Sequence, residues 1–172
     1  LGTCYQGVFY IDGNDEHKPY MDRLGQSYRD LASKISRLPN VVYLQDNVVI
    51  VNGVAILGTN GWWGFDFDLT IDPVQVREWL IDKEKYAPDI ADKICKTSNT
   101  DANYIISSVR KLQTHMDVKK IVIVTHTVPR ADLISHDPVL VGKQKFNCMG
   151  NRFMQTALEF DTEHKIHTWC FG

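Results

Sequence analysis

Apolar residues fall along this chain in two rhythms. Short unbroken runs of four suit strands with both faces covered. They occur at Val8 to Ile11, Val41 to Leu44, Val48 to Val51, Val54 to Leu57 and Ile121 to Val124. A 3-4 spacing suits helices with one wet face. It runs through Met21, Leu24, Tyr28, Leu31, Ile35 and Leu38 until Pro39 stops it, and again through Ala102, Ile105, Val109, Leu112 and Met116. Asp72-Pro73 supplies an N-cap and first-turn pair for a further helix. A shorter helix is expected from Pro88 to Ile94, another from Arg152 to Phe160, and a last strand from Lys165 to Phe171. Asn52-Gly53 lies between two apolar runs, where both turn positions need positive φ. With "QDN" before it, the pair predicts a small antiparallel meander over Val41 to Leu57. Buried strands, a hairpin and separate helices together predict an α/β architecture.

Composition narrows the class. A chain of 172 residues, 44% hydrophobic and 23% charged, has the size and balance of one globular domain spanning 1–172. The net charge of −2 opposes a polybasic nucleic-acid or membrane surface, and no apolar run reaches the length of a membrane helix. Cys4, Cys95, Cys148 and Cys170 are widely spaced, which suits reduced thiols and a cytoplasmic location.

Candidate chemistry sits at two strand ends. "VFYIDGND" and "IVIVTHTVP" both pass from apolar runs into polar side chains, and α/β sheets bind ligands off the carboxyl ends of their strands. This places Asn14, Asp15 and His126 where a site is expected. An amide oxygen and an imidazole both suit first-row divalent ions. Gly, Asn and Asp are equally the commonest turn formers, so a plain turn stays open. A calcium-loop reading fails, because the required glycine position is His17 and the closing acid position is Arg23. His115, His136, His164 and His167 lack partners at chelating spacing. No Gly-x-Ser-x-Gly elbow and no P-loop occur.

The order of these blocks resembles the calcineurin-like metallophosphoesterases. Gly13-Asn14-Asp15-Glu16 resembles the third of that family's five blocks, Thr125-His126 the fourth, and "TWCFG" at 168–172 the strand leading into the fifth. The run "VVIVNGVAILGTNGWW" resembles the hairpin and tryptophan loop between the third and fourth. The resemblance implies a layered α/β/β/α sandwich, incomplete here, with the first two blocks absent and the final His-x-His cut off. It implies a hydrolase: a phosphodiesterase or phosphatase acting through water activated by two divalent metal ions, manganese, iron or zinc. Asn14 and His126 would be metal ligands, and the substrate a phosphoester of a nucleotide, nucleic acid or phosphoprotein. Position 15 departs from the family, which carries histidine there. Asp15 is the replacement, and His17 stands two residues on as a substitute catalytic group. Trp62, Trp63 and Phe65 would border the site or anchor their loop in the core. The rival reading is a non-catalytic scaffold or binding protein of the same fold that has lost metal ligands. A flavodoxin-like domain is a third, opposed by the Asn52-Gly53 hairpin.

Overall fold

The computed structural model describes residues 5–134 and 143–172. They form a mixed α/β structure with several helices and two small sheets. The first sheet is a βαβ unit. β1 (Val8–Tyr10) leads through the single turn α1 (Asn14–His17) and a 3-10 segment, Lys18–Arg23, into α2 (Leu24–Ile35). The chain returns as β2 (Val41–Tyr43), parallel to β1, with Val8 opposite Val41 and Tyr10 opposite Tyr43. Asn40, at φ 61°, makes the return, and its carbonyl accepts from the Val8 amide.

The expected three-strand meander is therefore only a hairpin. β3 (Asn47–Val51) and β4 (Val54–Thr59) pair antiparallel around Asn52-Gly53, whose φ values of 50° and 79° are those such a turn needs. β2 leaves this sheet because Leu44 to Asn47 is itself a tight turn, with Asp46 at φ 49°. Its run of four apolar residues cannot reveal its partner, since strand periodicity encodes burial and not pairing.

β5 (Lys120–Thr125) and β6 (Ile166–Cys170) extend the hairpin in parallel to give the order β3-β4-β5-β6. Ala55, Leu57, Ile121 and Ile123 point to one face and are fully buried there. They meet Ala102, Ile105, Val109 and Leu112 of the long helix Pro88–Gln113 and Met154 and Ala157 of the 3-10 segment Arg152–Phe160. Each large apolar side chain so buried contributes about 1.5–3 kcal/mol.

The connection from β4 to β5 carries α3 (Pro73–Asp82) and α4 (Pro88–Gln113). The two helices expected after Pro88 are thus one. The polar stretch "KTSNTD" does not break it, because Thr97 and Thr100 return their hydroxyls to the Lys93 and Lys96 carbonyls one turn back. Trp62, Trp63 and Phe65, on the loop after β4, are buried against Leu80, Ile90 and Ile94. Among the described residues no helix is long and apolar enough to cross a membrane.

Candidate functional site

Three strand ends converge through one side chain. Asn60 follows β4, and its backbone carbonyl accepts from the amides of His126 and Thr127, just past β5. Its Nδ2 donates to the Asp12 carbonyl at 3.1 Å and to Asp12 Oδ2 at 2.9 Å, just past β1. Asn60 Oδ1 is buried without a partner among the described residues. The Gly172 amide, past β6, donates to the His126 carbonyl.

Beneath these ends lies a buried polar network. Asp12 Oδ2 accepts from His17 Nε2 at 2.5 Å, and Asp12 Oδ1 accepts from the Tyr43 hydroxyl at 2.5 Å. His17 Nδ1 shares a 2.9 Å hydrogen bond with Ser27 Oγ of α2. Burial alone would raise the Asp12 carboxyl. The hydrogen bonds from His17, Tyr43 and Asn60, with the charge of His17, hold it below its ordinary value instead. Burial and the neighbouring Asp12 push the Tyr43 hydroxyl strongly up. Asp12, His17 and Ser27 form a Ser-His-Asp arrangement, but His17 is 0% and Ser27 6% exposed. With these side chains buried, the hydrogen bonds of the network tie the strand end at Asp12 to α2.

Asn14 and His126 meet above this network. His126 Nε2 lies 2.9 Å from Asn14 Oδ1. Asn14 Nδ2 donates to Asp15 Oδ1 at 3.1 Å, which turns the amide oxygen toward the imidazole. Nε2 must then carry the proton it donates. Gly13 allows the approach, since a Cβ there would stand 2.9 Å from His126 Cε1. Asp15 itself points to solvent, its side chain 82% exposed and 4.0 Å from Lys18 Nζ. His17, in contrast, faces the core, its ring centroid 4.3 Å from that of Tyr28 with the planes tilted at 48°. His115, His164 and His167 lie away from this meeting point, and His136 lies outside the described residues.

The metal chemistry expected from the sequence is overturned here. Among the described residues no group of three or more His, Cys, Asp or Glu side chains is able to hold a metal ion. A catalytic zinc centre takes three protein ligands, and a two-metal site takes more. The two expected divalent ions have no site among these residues. The expectations of manganese binding and of a phosphatase or phosphoesterase acting through two-metal-activated water fall with it. Asn14 and His126 spend their facing atoms on each other.

Beside Asn14 opens a cavity of ≈ 310 Å³, walled by Trp63, Trp79 and Tyr86 and edged by Lys18, Glu84 and Lys145. A larger cavity of ≈ 530 Å³ lies along α4 over Asp46 and Asp101 and includes neither Asn14 nor His126. Asp101 accepts from the Gly61 and Trp62 amides at 2.8 and 3.2 Å and holds the tryptophan loop. Burial, then the charge of Asp46, raises its carboxyl to about 7.

Sequence reasoning missed the polar network and the smaller cavity. Asp12 carried a local signal, a polar residue just past a strand, and His17 closes the helical turn that follows. Ser27, Tyr43, Trp79, Tyr86 and Lys145 carried none, since only folding brings them there. No protein-family model, curated protein or solved structure matches the chain.

Proposed function

We propose that this chain is a non-catalytic binding domain, its block order retained from a metallophosphoesterase-like architecture while the ligand set for metal is not. The observation that carries the reading is the Asn14–His126 contact. Two strand-end side chains that would each offer a lone pair to a metal are closed on one another at 2.9 Å. Among the described residues no group of three or more His, Cys, Asp or Glu side chains could hold a metal ion. What remains at the strand ends is a cavity with aromatic walls and charged edges, the composition of a small-molecule binding site. The Asp12–His17–Ser27 network, all three residues buried, supports the reading by tying those ends together.

The test is turnover and occupancy measured on the same preparation. Aryl phosphodiester cleavage with added manganese is expected to stay at the buffer background, and a fragment screen followed by protein NMR is expected to shift the Asn14 and Trp63 resonances. Cleavage above background that His126→Ala abolishes overturns the proposal.

A further inference from the structure

β3 is an edge strand that lacks the usual guards. The larger sheet runs β3-β4-β5-β6, so one side of β3 meets β4 and no described strand pairs with the other. Proteins guard such edges with charges, proline, bulges or very short strands. The opposite edge, β6, pairs with β5 through a register shift between Ile121 and Val122 and carries His167. The strands of the small sheet are three residues long. β3 reads Asn-Val-Val-Ile-Val, without charge, proline or any break in its register with β4.

The hairpin decides which backbone groups of β3 face outward. In a two-residue hairpin the pair that closes the turn, here Val51 and Val54, exchanges both backbone bonds, and bonded pairs then alternate along the ladder. Val49 and Val51 therefore turn their N–H and C=O toward β4, and Val48 and Ile50 turn theirs outward. The Val48 amide donates to a neighbouring side chain, Asn47 Oδ1, at 2.9 Å, as an outward group would. The side chains of Val48 and Ile50 share a face with Leu57 and Ala55, which stand opposite them on β4. Leu57 and Ala55 are fully buried in the cluster with α4, while Val48 and Ile50 are 39% and 41% exposed. The apolar face of the sheet thus runs on past its cover to the open edge.

Outward donors and acceptors at alternate residues are satisfied by another extended strand, and an edge without charge is its own complement. In the antiparallel register that sets Val49 opposite itself, Val48 meets Ile50 of the second copy, and each such pair exchanges both backbone bonds. The apolar side chains of the two copies then meet on one face. Asp46, just before β3, falls opposite Asn52 and not opposite another acid. The arrangement is twofold and closes at a dimer.

We propose that two copies of this chain associate through β3, edge to edge and antiparallel about Val49, into one continuous sheet. Five residues a side fall short of the ~20–30 of a standard interface, so the dimer is weak and grows with concentration. No residue of β3 lines the cavity beside Asn14, so the dimer stands or falls apart from the binding reading.

Sedimentation velocity across protein concentrations up to about 1 mM, the weak end of specific affinities, is expected to show monomer passing into dimer. Ile50→Lys, at an exposed residue, is expected to weaken the dimer tenfold or more at unchanged melting temperature. Val49→Cys is expected to link two chains by a disulfide under mild oxidant, because opposed residues of a non-bonded pair stand about 4.5 Å apart at Cα, within disulfide reach. Monomer throughout leaves the edge to a strand of another protein and overturns the proposal. So do species larger than a dimer, a dimer that Ile50→Lys leaves intact, or a Val49→Cys chain that links no more than the unsubstituted one with its exposed Cys170.

Discussion

At the scale of single residues, Gly13 and Asp12 decide how the strand-end region is built. Gly13 has φ −110° and ψ −179°, extended backbone that any residue adopts, so its need for hydrogen in place of a side chain is steric. Gly13→Ala drives a methyl against the imidazole of His126 and is expected to lose about 1–3 kcal/mol, the usual range for overpacking. Urea unfolding reads the loss, and a shifted His126 ring signal shows that the contact with Asn14 has opened. The approach of Asn14 to His126 was legible before folding, since both follow apolar strands. Their mutual closure was not, because it depends on Asp15 orienting the amide and on the space Gly13 leaves. Phe65 illustrates the same limit. It holds φ 64° while buried at 3%, a conformation its residue type does not announce.

At the scale of elements, local chemistry was readable and pairing was not. The Asn52-Gly53 turn, the Asp72 cap on α3 and the stop at Pro39 all act within a few residues. The structure has the hairpin and the capping bond from the Val74 amide to Asp72 at 2.9 Å, while α2 ends at Ile35, short of Leu38 and Pro39. β2 and α4 escaped because their fates depend on distant partners. β2 joins β1 across α2. α4 runs unbroken because the threonines in its polar stretch satisfy their hydroxyls along the helix. The hairpin also gives the sharpest element-level expectation. Gly53 sits at φ 79°, where an alanine is strained by about 1–2 kcal/mol, and its added Cβ would lie 3.3 Å from the Asp117 carbonyl. Gly53→Ala is expected to lower the unfolding free energy read from urea denaturation by that amount, with Asn52→Ala losing less.

At the scale of the whole molecule, two buried acids give stability opposite dependences on pH. Asp101 has a folded value of about 7 against an ordinary 3.8. The folded state then holds its proton more tightly than the unfolded chain, and the stabilisation this brings is full below the ordinary value and lost as pH rises through about 7. Asp12 lies below its ordinary value, so its contribution is present above that value and lost as pH falls through the folded one. Denaturation midpoints measured across pH are expected to show both limbs. Asp101→Asn is expected to flatten the fall from mildly acid to neutral pH and leave the acid limb in place. The layout of strands at this scale governs one more property. Val54 pairs with Lys120 and Val8 with Val41, so each parallel pair waits for a helical crossover to be completed, while the β3–β4 hairpin and the helices need only near neighbours. Refolding is thus paced by loop closure, with the central β4–β5 pairing late. Until that pairing closes, Ala55, Leu57, Ile121 and Ile123 lack their cover, and chains refolded at high concentration lose yield to intermolecular association in that interval.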